Sequence, residues 1–196
     1  MADSLYLSLW FSDIEPDEML PRALSVMRQF PFSAEQPGVS YLAVHPISWD
    51  EATVLEQSFP KGIQPEAAVL IASDLLHEDY GYVFEAAWNL WIATESGEWK
   101  LKPSLVRFVV RGTDFDEGAF REEGHIQVDF GSDAPFLQEH VQLTEEAEMQ
   151  VRANVQKLVD FTAAIEKQAG ASGRLLWSES EENLAQKLLA RLQRVQ

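Results

Sequence analysis

Four segments of the chain alternate apolar and polar residues, and this pattern constrains the fold more than any other sequence feature. In the first segment Leu5, Leu7, Leu9 and Phe11 share one side of an extended strand. The same period of two recurs in residues 80–93, 105–111 and 125–130. Strands of this kind bury one side and leave the other to water or a ligand. The pattern therefore predicts a mostly antiparallel sheet with helices on one face.

Between and after these strands lie segments in which apolar residues recur at spacings of three and four, and this spacing indicates helices. The predicted helices contain residues 19–27, 66–77 and 184–195, and a long helix begins near Thr144, has its apolar stripe over residues 151–165 and stops at Gly170. The first six elements follow the order βαββαβ over about residues 4–93, which is the order of the ferredoxin-like arrangement. Further strands and two C-terminal helices extend it. We expect one α+β domain over residues 1–196.

Two local signals set boundaries in the second half of the chain. Pro103 predicts a break between a strand at residues 98–101 and another at 105–111, because proline interrupts a hydrogen-bonded ladder. Ser178 followed by Glu181 is the spacing of a capping box and predicts the start of the last helix.

The composition favours a folded protein of a reducing compartment. The chain has 196 residues, of which 46% are hydrophobic, enough for a sizeable core. It contains no cysteine, which excludes disulfides and thiolate metal sites. The N-terminus lacks the basic residues of a secretory signal, and the longest apolar run, residues 67–72, is too short to span a membrane. We expect a cytoplasmic protein.

The net charge of −17 is concentrated in one segment. Residues 113–148 carry 11 acidic residues and one basic residue, Arg121. A field of this sign repels nucleic acid and anionic lipid, so we expect neither as a partner. It attracts a basic protein. The C-terminal helix, with Lys187, Arg191 and Arg194, is basic and either caps the core or docks on another subunit, which would make a homo-oligomer.

The sequence has no signature of a phosphate loop, a dinucleotide site or a catalytic nucleophile. His45, His77, His125 and His140 have no spacing of helical metal ligands. The acidic stretch from Asp114 to Glu123 lacks the ligand spacing of a calcium-binding loop. We therefore expect no cofactor and no metal.

The polar side of the predicted sheet is the candidate ligand-binding surface. If the strands at 80–93, 105–111 and 125–130 are neighbours, this side collects Glu85, Asn89, Trp91, Arg107, Arg111, His125, Gln127 and Asp129. Arginine side chains suit an anionic or polar ligand, and a histidine beside a carboxylate can act as an acid or base. The alternative is that this side of the sheet is simply exposed to water, which produces the same alternation of apolar and polar residues without any ligand.

Three functions remain open at this point. The absence of a catalytic signature favours a binding or protein-interaction domain. The alternatives are a metal-independent enzyme that uses Arg107 or Arg111 with His125, and an acidic inhibitor or immunity-type protein for a basic partner. In each case we expect Arg107 and Arg111 to point away from the core and at least one of them to pair with a carboxylate.

Overall fold

The computed structural model describes residues 3–138, 143–179 and 183–193, which form an α+β fold of seven strands and six α-helices. His140, Glu181 and Arg194, and with Glu181 the predicted capping box, lie outside these residues. The strands are β1 (Ser4–Trp10), β2 (Val39–Pro46), β3 (Leu55–Ile63), β4 (Tyr80–Ala93), β5 (Trp99–Arg111), β6 (Ile126–Ser132) and β7 (Gly173–Ser178). The helices are α1 (Met19–Arg28), α2 (Pro65–Ser73), α3 (Phe120–Glu123), α4 (Ala134–Leu137), α5 (Glu145–Gln168) and α6 (Leu184–Gln193).

The strands form one antiparallel sheet in the order β3-β2-β4-β5-β6-β1-β7. This order corrects the ferredoxin-like expectation, in which β1 would lie between β3 and β4. Instead β4 forms a long hairpin with β5, and β6 pairs with the other edge of β5, so β5 takes one position beside β4. β1 then pairs with β6 and β7, and β2 is the strand next to β4.

Pro103 lies inside a continuous β5 and does not divide it, contrary to the prediction. It stands opposite Asn89 on β4, and the registered pairs between β5 and β6 run only from Arg107 to Val110. The outer edge of β5 is therefore unpaired at Pro103, where a missing N–H costs no ladder hydrogen bond.

The core lies between the sheet and the helices on one of its faces. Alternate residues of β1 and β5, such as Leu7 and Phe108, pack in one apolar cluster with buried residues of α1, α2, α4, α5 and α6. Trp88 is central to this cluster and stacks on Phe30 and Phe130, with ring centroids 5.4 and 5.3 Å away. Within the described ranges, no helix has both the length and the apolar composition that a membrane span requires.

Candidate functional site

The side of the sheet opposite the core, here called the open face, carries one row of residues that crosses all seven strands. Directly opposed residues of neighbouring strands share a face. The pairings connect one residue from each strand, from β3 to β7: Ser58, Tyr41, Glu85, Arg107, Asp129, Tyr6 and Trp177. We call these seven residues the central row.

Charged groups meet in the middle of the central row. Arg107 Nε donates to Glu85 Oε1 over 2.8 Å, and Arg107 Nη1 lies 3.9 Å from Asp129 Oδ2. The side chain of Arg107 is 49% exposed, whereas those of the two carboxylates are 20% and 22% exposed. The hydrogen bond that Arg107 donates to Glu85 raises the pKa of Arg107. Arg107 thus points away from the core and pairs with carboxylates, as the alternation predicts.

Tyrosine side chains flank this charged centre on both sides. Burial, together with a hydrogen bond to Glu56, raises the pKa of Tyr41 to about 12, so its hydroxyl stays protonated. On the other side the Tyr6 ring stacks on Trp177 with centroids 4.6 Å apart. Trp177 Nε1 donates to Ser8 Oγ over 3.1 Å, which orients the indole along the sheet.

The open face also carries exposed leucines. Leu105 stands opposite Ala87, Leu101 opposite Trp91 and Leu175 opposite Ser8, so all three lie on the open face. They are 45%, 46% and 53% exposed respectively. The open face therefore combines paired charges, aromatic rings and uncovered aliphatic side chains.

Arg111 and Gln127 belong to the same side of the sheet but are not accessible. Arg111 is only 3% exposed, and its Nη2 donates to Gln127 Oε1 over 2.9 Å and to Glu123. The guanidinium also lies over the Trp49 ring, 5.8 Å from its centroid. Burial lowers the pKa of Arg111, and nearby Glu123 opposes this shift. The predicted anion-binding role of Arg111 is therefore replaced by a structural one, anchoring the β5–β6 loop.

His125 is held in a packing role. Its Nδ1 accepts a hydrogen bond from the Phe11 amide over 3.2 Å, and its ring stacks on Phe120 with centroids 4.4 Å apart. The residue is 6% exposed, and burial lowers the pKa of its imidazole. The geometry thus gives His125 a backbone partner in place of the carboxylate that an acid or base would need.

Asn89 and Trp91 lie farther along the β4–β5 hairpin, beyond the end of β2. Four residues of extended chain, about 13 Å, separate Asn89 from Glu85. Lys157 Nζ donates to the Asn89 carbonyl over 2.6 Å, and Asn154 bonds both main-chain groups of Trp91 at 2.8 Å. The structure therefore places these two candidates beside α5, apart from the charged centre.

Four loops meet at one end of the sheet and form what we call the acidic end. They are residues 11–18, 47–54, 74–79 and 112–125, which together carry 14 acidic residues and one basic residue, Arg121. Main-chain hydrogen bonds connect three of them: Ile47 donates to Asp79, Asp116 to Ile47, and Asp114 to Glu78. The run of acids in residues 113–148 does not form one surface, because β6 carries its later members to the opposite end of the sheet. Sequence reasoning missed the acidic end because its loops are far apart in the chain.

In the described part of the chain, no group of three or more histidine and carboxylate side chains is placed to hold a metal ion. The charged groups at the middle of the open face, Glu85, Arg107 and Asp129, lie against one another. Comparisons of the chain with protein-family models, with curated proteins and with solved structures found no match.

Proposed function

We propose that this chain is a non-catalytic binding domain that docks a basic protein on its open face. One observation carries the proposal. The helices that build the core cover one side of the sheet, and the other side presents the Glu85–Arg107–Asp129 centre with exposed Leu105 and Leu175 beside the central row and exposed Leu101 farther along β5.

The chemistry of the open face fits a protein partner better than a small molecule. Centres of protein interfaces are rich in aromatic residues and arginine and bury apolar surface. Tyr6, Trp177 and Arg107 supply the enriched residue types, and Leu105 and Leu175 add apolar surface that docking would bury. Because Arg107 is already held by Glu85, docking costs it little side-chain entropy.

Charge complementarity identifies the partner as basic. The open face and its margin carry Glu56, Glu85, Asp129 and Glu179 against Arg107. The acidic end adjoins this face, and the net charge of the chain is −17. Such a field attracts a cationic protein and accelerates its association.

The same charge argues against the other partners. A second copy of the chain would bring one net charge of −17 against another, and nucleic acid or an anionic membrane would be repelled as well.

If the basic partner is itself an enzyme or toxin, the domain acts as its inhibitor through the same surface. The lack of cysteine fits a cytoplasmic setting, which we include in the proposal.

A basic peptide that alternates lysine and leucine, acetyl-KLKLKLK-amide, is a suitable probe for the open face. As an extended strand it presents leucines on one side and ammonium groups on the other. We expect amide chemical-shift changes in a titration followed by NMR to concentrate on the central row. Binding should weaken from 50 mM to 500 mM salt, because screening lengths fall well below 10 Å.

The matched variants compare two exposed leucine pairs. Leu105→Ser combined with Leu175→Ser should weaken binding roughly tenfold. Leu70→Ser combined with Leu189→Ser, on α2 and α6, should leave it unchanged. Shift changes that map to the helices, or equal binding by both double variants, would refute the proposed face.

A further inference from the structure

The loop between β2 and β3 holds an isoleucine in a backbone conformation that isoleucine seldom adopts. Ile47 has a φ of 63°. In this left-handed region a β-branched side chain crowds its own backbone. The Ser48 amide donates to the Pro46 carbonyl over 2.6 Å, so Ile47 is the central residue of a γ-turn. With a positive φ this turn is the strained form.

Two neighbouring loops hold the turn in place. The Ile47 amide donates to the Asp79 carbonyl, and the Asp116 amide donates to the Ile47 carbonyl, each over 2.7 Å. These bonds fix the conformation whatever side chain stands at position 47. Glycine or asparagine would adopt it at lower cost.

Packing does not explain the isoleucine, because its side chain is 59% exposed. Val54, at the other end of the same loop, is 47% exposed. The strained backbone thus presents an apolar side chain that does not contribute to the core. Strain of this kind is found mainly at functional sites.

The loops that meet at Ile47 are acidic. Residues 47–54, 74–79 and 112–118, the three loops joined at Ile47, contain no lysine or arginine. Their acidic residues are Asp50, Glu51, Asp74, Glu78, Asp79, Asp114, Asp116 and Glu117. The surface that complements this arrangement is an apolar pocket with a rim of cationic side chains.

We infer that Ile47 is an anchor residue that the basic partner encloses in an apolar pocket rimmed by lysine or arginine. The inference rests on the proposed function, because it takes the partner to be a basic protein, and it adds a second contact beside the open face. An anchor fixed before binding loses little conformational entropy on docking. A buried apolar centre inside a polar rim is the usual arrangement of an interface hot spot.

The test uses heptakis(6-amino)-β-cyclodextrin, a ring with an apolar cavity and a rim of ammonium groups. In an NMR titration we expect the methyl resonances of Ile47 to shift, and binding to weaken with salt. Ile47→Asn should weaken binding roughly fivefold or more. The same variant should raise the unfolding temperature by about 2–4 °C, because asparagine tolerates a positive φ.

Leu70→Gln is the matched control, because Leu70 is 67% exposed on α2, away from these loops. Leu70→Gln should change neither the affinity for the amino-cyclodextrin nor the unfolding temperature. Unmodified β-cyclodextrin should bind the wild type more weakly than the amino derivative does. Equal binding by Ile47→Asn and the wild type, or a lower unfolding temperature for Ile47→Asn, would overturn the anchor. The lysine–leucine peptide tests the open face separately, so either proposal can fail while the other stands.

Discussion

Arg107 on β5 and Glu85 on β4 face each other across the sheet, with Arg107 Nε 2.8 Å from Glu85 Oε1. Asp129 lies on the other side of the same guanidinium, at 3.9 Å. Two partly buried carboxylates therefore share one cation. One cation against two carboxylates leaves the centre of the open face with a net negative charge, although each carboxylate lies close to the guanidinium.

Arg107→Gln removes the shared cation and leaves Glu85 and Asp129 with uncompensated charge. We expect the free energy of unfolding to fall by about 1 kcal/mol, a value limited by solvent screening because Arg107 is half exposed. Urea denaturation measures it. Arg174→Gln is the control, since Arg174 is exposed to a similar extent but pairs over 2.8 Å with one carboxylate, Glu166, that is itself 58% exposed. Equal losses for the two variants would contradict a special role for the Arg107 centre.

His125 makes stability depend on pH in a defined direction. Burial holds the pKa of folded His125 below its ordinary value of 6.5. As the pH falls below about 6.5, the unfolded chain takes up a proton before the folded chain does. Stability from this group is therefore complete above that pH and is lost as the pH falls toward the folded pKa.

His125→Asn tests this dependence, because asparagine supplies an oxygen near the position of Nδ1 but does not titrate. Denaturant unfolding at pH 7.5 and pH 5.5 should show a smaller loss of stability in the variant than in the wild type. Part of the loss should remain, since burial also lowers the pKa of His45. An undiminished loss in the variant would show that other groups cause it.

Gly81 allows the ring of Phe115 to lie directly on β4. A Cβ atom at position 81 would stand 2.6 Å from Phe115 Cζ, closer than van der Waals contact allows. We expect Gly81→Ala to lower the free energy of unfolding by about 1–3 kcal/mol, because the ring and its loop must move. Gly173→Ala is the control in the same urea experiment, as its Cβ would meet Trp10 at an ordinary 3.7 Å. A cost no greater than the control's would mean that the loop adjusts freely.

Asn154 joins α5 to the β4–β5 hairpin. Its side chain bonds the Trp91 amide and carbonyl at 2.8 Å and the Pro135 carbonyl at 2.9 Å, and the residue is 1% exposed. Asn154→Ala should cost about 2–3 kcal/mol, because buried main-chain groups lose their partners. Hydrogen exchange should show the Trp91 amide losing protection while Phe84 keeps it. Gln156→Ala, on the exposed side of α5, should alter neither amide.

The alternation of apolar and polar residues predicted the sides of the strands well, because a period of two is a local property. It placed Glu85, Arg107 and Asp129 on one face, and the register then brought them into contact. It could not predict the loop that covers Arg111 and His125. That cover depends on Phe115 and Phe120 in residues 112–125 and on Trp49 in residues 47–54, two loops that are far apart in the chain.

The strand order was beyond local reasoning for the same physical reason. β1 pairs with β6 and β7, so its partners are more than 100 residues away, and no periodicity encodes such a choice. The acidic end has the same origin, because its four loops become neighbours only through the order of the strands. Asp116 and Glu117 both have positive φ and lie in a turn. Neither position carries a glycine or proline from which the sequence could predict that turn.

The position of β1 also bears on how the protein is made. During synthesis, Leu5, Leu7 and Leu9 are translated long before their partner strands, of which the first begins at Ile126 and the second at Gly173. Until those strands have been made, β1 is an apolar strand with neither of its native neighbours, and such unpaired strands promote aggregation. Translation of more than 100 intervening residues thus separates the synthesis of β1 from its first native pairing.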